Sequence, residues 1–148
     1  MEITANDKYA SLAKSLGSLT NESNEKPILK YGNFLHLQGK SKYDGKIGED
    51  LSVKFGKAAA REIAMDFITT IQKEFGSMDK IKRVIGINGK INCSTDFKQH
   101  SYIINGCSEL LNHIWSTQNN SLIASAITTD IWGETTSLEI EALFELNN

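Results

Sequence analysis

The sequence predicts a two-layer α/β domain, a single mixed sheet covered on one face by two helices, with a short extra helix at its N-terminal end. Three observations predict it. A long segment, Leu51 to Phe75, repeats apolar residues every three or four positions. A second such segment carries Ile103, Cys107, Leu110, Leu111, Ile114 and Trp115. A closing run from Ser137 to Leu146 alternates apolar and mostly acidic residues with the period of a strand.

The elements follow in chain order. Tyr9, Leu12, Ala13 and Leu16 lie at helical spacing, and Gly17 stands where a helix stops. Ser18 to Lys26 is rich in Ser, Asn and Glu and runs into Pro27, the one proline of the chain, so it reads as a loop. Ile28 to Gly39 holds two short extended runs around Tyr31-Gly32-Asn33, a hairpin pattern. Asp50 is placed to cap the long helix, and Gly76 to end it. Met78 to Lys80 can form one short turn. Ile81 to Ile91 reads as a strand, with Gly86 and Gly89 inviting a bulge. The polar run Ser116 to Asn120 ends the second long helix, and Leu122 to Thr128 and Ser137 to Leu146 are the final strands.

With 148 residues and 40% hydrophobic content the chain fits one domain, residues 1–148, in which 1–26 form a helix-and-loop extension. Helices on one side only leave the second face of the sheet to solvent or to a partner, so oligomerisation is expected. The near balance of 16 bases and 18 acids gives no broad basic field, which argues against nucleic acid and anionic membranes as partners. The start of the chain lacks a basic segment followed by an apolar run, and nowhere do roughly 18 apolar residues occur in succession. A cytoplasmic protein with no membrane partner is the expectation. Cys93 and Cys107 sit in no CxxC or Cys/His array, so no metal or cofactor is expected; His36, His100 and His113 show no spacing to one another or to a serine or cysteine that suggests a triad.

Several segments, taken together, resemble the YjgF/RidA family, also called endoribonuclease L-PSP. Tyr31-Gly32-Asn33-Phe34-Leu35-His36-Leu37-Gln38-Gly39-Lys40 is similar to its Gly-Asn turn and the apolar strand that ends in a Ser-Gly-Gln-like corner. The resemblance continues through Gly48-Glu49-Asp50-Leu51, Ala58-Ala59-Ala60, Asp79 to Val84, and Asp96-Phe97. Ile104-Asn105-Gly106-Cys107-Ser108-Glu109-Leu110-Leu111 looks like the branch with an Ile-Asn-Gly-x-Ser-x-Leu-Leu helix, and Leu138-Glu139-Ile140-Glu141-Ala142 like the final strand.

The resemblance implies a chorismate-mutase-like fold and a homotrimer whose sheets pack into a central barrel, with clefts for small molecules between neighbours. It also implies hydrolysis of enamines or imines to ammonia and a 2-oxo acid, with an arginine holding the substrate carboxylate through its bidentate donors. Counted back from Glu139, that position is Ala124, and the cysteine two residues on becomes Ala126. The only arginines, Arg61 and Arg83, fall elsewhere. The implied reading is a small-molecule-binding relative without the arginine-dependent reaction. An enamine/imine deaminase with altered substrate binding is the alternative, and RNA cleavage or translation inhibition the second.

Glu139 matches the glutamate credited with positioning or activating water, and is the candidate catalytic residue; a solvent-facing strand carboxylate is its other reading. Tyr31, Gly39, Lys40, Asn105 and the Ala124 position are the candidate ligand-binding set. Tyr31 offers a hydroxyl or an aromatic wall, Gly39 close backbone approach or simply a tight corner, and Asn105 a cleft amide or a helix cap. Lys40 supplies a less directional positive charge than arginine, or is a solvated loop-edge lysine. Cys107 lies on the apolar face of its helix, where packing outweighs nucleophilic chemistry.

Overall fold

A computed structural model describes residues 3–16, 28–115, 122–129 and 136–147. The elements are α1 (Ala5–Leu16), β1 (Ile28–Tyr31), β2 (Phe34–Lys40), α2 (Val53–Phe75), a 3-10 turn (Met78–Lys80), β3 (Ile81–Asn92), α3 (His100–Trp115), β4 (Ile123–Thr129) and β5 (Leu138–Leu146). The loop expected over Ser18 to Lys26 and the polar run at Ser116 to Asn120 lie outside the described residues.

The five strands form one mixed sheet in the order β1-β2-β5-β3-β4. Gly32, at φ +59°, closes the β1–β2 hairpin, a left-handed conformation that glycine adopts without cost. β5 is antiparallel to both β2 and β3, and β4 joins β3 in parallel. A parallel pair needs a long crossover, and α3 supplies it.

One expectation needs correction, and another holds in part. Ser52, not Asp50, caps α2: its extended backbone lets Oγ accept the amide of Phe55 at 3.0 Å, whereas Asp50 accepts the amide of Lys46 at 2.9 Å and ties down the preceding turn. Ser52→Ala should therefore lower stability by about 1 kcal/mol, as cap removal does, and Asp50→Asn should leave α2 intact; urea unfolding followed by circular dichroism checks both. β3 shifts register between Ile81 and Arg83 and between Val84 and Gly86, so Gly86 borders an irregularity, while Gly89 pairs regularly with Ile140. Gly89 is small for another reason. A Cβ there would lie 2.7 Å from Ile104 Cδ1, which fills the space from α3.

The core lies between the sheet and the two long helices. Leu138, Ile140, Ala142, Phe144 and Leu146 of β5 pack beneath Ile63, Phe67 and Ile71 of α2 and Leu110, Leu111 and Trp115 of α3. α1 adds Tyr9 and Leu12 at the margin, and the backbone amide of Asn6 donates to Asp79 Oδ1 at 3.1 Å. Alternation then puts Glu139, Glu141, Leu143 and Glu145 on the opposite face, which no described element covers.

Candidate functional site

The open face of the sheet is organised in rows set by strand register. Lys40 of β2, Glu139 of β5, Lys90 of β3 and Ile127 of β4 make one row. Gln38, Glu141, Asn88 and Ser125 make the next, and His36, Leu143, Gly86 and Ile123 the third. Toward the hairpin come Phe34, Glu145 and Arg83, with Tyr31 beside Phe34.

Each described acid on this face has an ion-pair or hydrogen-bond partner in its own chain. Lys40 Nζ lies 4.0 Å from Glu139 Oε1. Gln38 Nε2 donates to Glu141 Oε1 at 3.0 Å, and His36 Nε2 stands 3.8 Å from Oε2. Arg83 Nε donates to Glu145 Oε1 at 2.7 Å, and that bond holds the carboxyl below the usual carboxylate range. Ser125 Oγ donates to Asn88 Oδ1 at 3.0 Å. The margins of the face are apolar: Leu29, Tyr31 and Phe34 on one side, Ile123 and Ile127 on the other, with Tyr31 80% and Ile123 74% exposed.

Of the residues singled out in the sequence, Glu139, Lys40 and Gly39 come together. Gly39 pairs with Ile140, one position from the Lys40–Glu139 pair, and its side faces the helices, where a Cβ would meet Ile63 Cγ2 at 2.7 Å. Close packing of α2 on β2 thus requires a glycine there. Tyr31 projects from the hairpin, at the far end of the seven-residue β2 from Lys40. Asn105 is exposed on α3, on the other side of the sheet, and accepts from Ser108 Oγ at 3.4 Å. Ala124 is exposed on edge strand β4, paired with the buried Ile87 and hence on the helix side. Within one chain, then, the set falls into four places.

Sequence spacing missed two things. Loop 93–99 folds back, so that His100 Nε2 lies 3.8 Å from Cys93 Sγ and 2.7 Å from Thr128 Oγ1, a meeting that the spacing of the histidines did not signal. Cys93 is fully buried and its thiol bonds to the Ile91 carbonyl at 3.4 Å, the environment of a packed thiol. Burial also pushes the Cys107 thiol up, away from the reactive range. The second is Lys90, whose place beside Glu139 depends on pairing between distant strands. Among the described residues no three His, Cys, Asp or Glu side chains gather as a metal site, and no helix is long and apolar enough to cross a membrane.

A family model described as "YjgF/chorismate mutase-like, putative endoribonuclease" matches residues 3–138. The chain belongs to this family. Among curated relatives of the YjgF/RidA family member, Protein TCP17 of Trypanosoma cruzi is 33% identical over 104 residues, which is 70% of this chain and 65% of that protein's length. The crystal structure of Atu1372 from Agrobacterium tumefaciens superposes with a TM-score of 0.81 at 25% identity, covering 97% of this chain and 95% of that one. A Shewanella oneidensis structure described as "a putative endoribonuclease" gives 0.77 at 20% identity, covering 97% and 99%. The mixed five-stranded sheet with three helices is thus the YjgF/chorismate-mutase-like fold.

Proposed function

We propose that this YjgF/RidA-family chain is a cytoplasmic homotrimer that binds a small metabolite in clefts between its subunits, without the arginine-dependent deaminase reaction of its relatives. The observation that carries the reading is the open sheet face. Its acids are satisfied within the chain, so covering it strands none of their charges, while its two margins are apolar and differ from each other. Apolar margins of different shape, one meeting the other on the next copy, make a head-to-tail interface, and a head-to-tail interface that closes makes a ring. In such an assembly Tyr31, on the apolar margin of one subunit, meets the face of the next. The exposed Ala124 leaves the family's carboxylate clamp without its guanidinium.

A deaminase is the alternative, favoured by Glu139, a half-buried carboxylate with a lysine 4.0 Å away. In that reaction water adds to the imine carbon while Glu139 takes one of its protons and passes it to the nitrogen, and the hydroxyl proton then moves to the nitrogen as the C–N bond breaks, the carbonyl forms and ammonia leaves. RNA cleavage rests on the descriptions of relatives alone.

Ammonia release from freshly generated 2-aminoacrylate, with particle mass followed by light scattering, tests these readings. A trimeric wild type at the buffer rate, with Ala124→Arg gaining activity, supports the proposal. A wild type whose activity falls roughly 100-fold or more in Glu139→Gln, the scale of lost acid–base catalysis, replaces it with the deaminase. RNA cleavage surviving both substitutions favours the third reading.

A further inference from the structure

The acids that β5 turns to the open face differ in what answers their charge. Glu145 is bonded to Arg83 and Glu139 lies beside Lys40, partners that stay cationic across the ordinary pH range. Glu141 has no such partner. Gln38, directly opposite on β2, donates to Oε1 at 3.0 Å but brings no charge. Oε2 looks diagonally across to His36, whose Nε2 stands 3.8 Å away, within reach of an ion pair and beyond a hydrogen bond. Imidazole is the side chain whose ordinary titration, near ~6.5, falls in the physiological range.

The groups around His36 leave Glu141 as its counter-charge. Leu29 of β1 and Leu143 of β5 lie directly opposite it, and Phe34 and Gln38 flank it on β2. The diagonal positions hold Tyr31 of β1, whose phenol titrates far higher, and Glu145, already taken by Arg83. Lys90 of β3 is diagonal to Glu141 and has Glu139 directly opposite.

With the face open, His36 and Glu141 are 33% and 37% exposed, and water screens the pair. In the assembly proposed above, on which this step rests, the face is covered. Glu141 then keeps its amide donor at any pH, but the charged form of its other partner comes and goes. A carboxylate withdrawn from water beside an imidazolium is neutralised, whereas beside a neutral imidazole it is not.

We propose that His36 and Glu141 form a pH-sensitive lock between subunits, in which protonated His36 supplies the cation that Glu141 lacks and association tightens as pH falls. Covering raises the proton affinity of His36, so assembled subunits hold more protons than free ones. The gain is fully present below the ordinary titration of histidine and is lost as pH rises through the higher value of the assembled state. The pair recurs in every subunit of a ring, which multiplies the effect.

The full chain is followed in two ways. NMR of 15N-labelled imidazoles gives the titration of His36, identified among the three histidines by the signal lost in His36→Gln. Energy transfer between protein labelled with donor and with acceptor at its N-terminus gives the rate of subunit exchange at about pH 6 and about pH 8, on either side of the lock. In particles of trimer mass by light scattering, His36 should titrate above ~6.5, and return to that value or below it in Glu141→Gln. Exchange should be about tenfold or more faster at the higher pH, the factor that one pKa unit gives, and lose that dependence in both variants. A trimer in which His36 titrates at or below ~6.5, in which exchange is equal at the two pH values, or in which the dependence survives His36→Gln overturns the lock and leaves the assembly standing. A wild type that is monomeric throughout overturns the assembly and takes the lock with it.

Discussion

Phe144→Ala should lower the free energy of unfolding by about 3–5 kcal/mol, the range for emptying a phenylalanine site in a packed core. Phe144 is fully buried on β5, the strand between β2 and β3. Its ring meets Phe67 of α2 edge-on at 6.4 Å and Trp115 of α3 at 5.5 Å. One side chain therefore joins both helices to the middle of the sheet, and truncation forfeits two edge-to-face contacts in addition to apolar burial. Backbone hydrogen bonds of β5 to both neighbours hold the strand in place and hinder collapse into the cavity. Urea unfolding at fixed protein concentration, with particle mass checked alongside because association adds its own stability, gives the value. A loss below about 1.5 kcal/mol, well under that range, would mean that the site repacks and that Phe144 is not the joint between layers.

Gly106→Ala should destabilise by about 2–3 kcal/mol, the upper part of the range for overpacking, although alanine is the better helix former by about 1 kcal/mol. The reason is the crossing of α2 and α3. A Cβ at Gly106 would lie 2.1 Å from the Lys57 carbonyl oxygen, a backbone atom that no rotamer change can remove. On the facing helix, a Cβ at Gly56 would lie 2.7 Å from Ile103 Cδ1 and 2.9 Å from Ile47 Cδ1. The two glycines let the helix backbones approach, and Lys57 spans the crossing, its ammonium 4.8 Å from the Tyr102 ring and 3.4 Å from Glu109. The same unfolding experiment decides it. An alanine variant as stable as wild type, or more so, would show that α3 can slide without loss and that ordinary helix propensity prevails.

Elements with strong periodicity were legible in the sequence and their ends were not. The apolar repeat of α2 predicted its existence, but Asp50 and Ser52 are both good capping residues, and only the turn at Lys46 to Leu51 decides which is free to cap. The strand expected over Ile81 to Ile91 was readable from its branched residues, and Gly86 marked one of its register shifts, while the shift between Ile81 and Arg83 arises from pairing with β5 and leaves no local mark. The parallel pairing of β4 was likewise hidden, because contact between β3 and β4 is set by the path of α3. For the candidate site, the meeting of Lys40 and Glu139 follows from antiparallel register between residues nearly a hundred positions apart. Lys90 falls within the strand expected over Ile81 to Ile91, but its neighbours Glu139 and Ile127 follow only from pairing between distant strands. Asn105 and Tyr31 stand apart from Glu139 within the chain, and no spacing rule within a single sequence can read that.

The place of β5 in the sheet also bears on how the chain is made. Two half-sheets, β1 with β2 and β3 with β4, share no ladder hydrogen bonds with each other, and β5 is the strand that lies between them. It is also the last of the five to leave the ribosome. A nascent chain that has already produced both long helices still lacks Phe144 and the strand on which those helices rest. Such a chain can form its hairpin and its helical crossover but cannot close its core, and these contacts between distant residues favour slow folding and prolonged exposure of apolar surface. Completion of this domain therefore waits for Leu138 to Leu146, and its apolar core surface stays uncovered until that strand has been made.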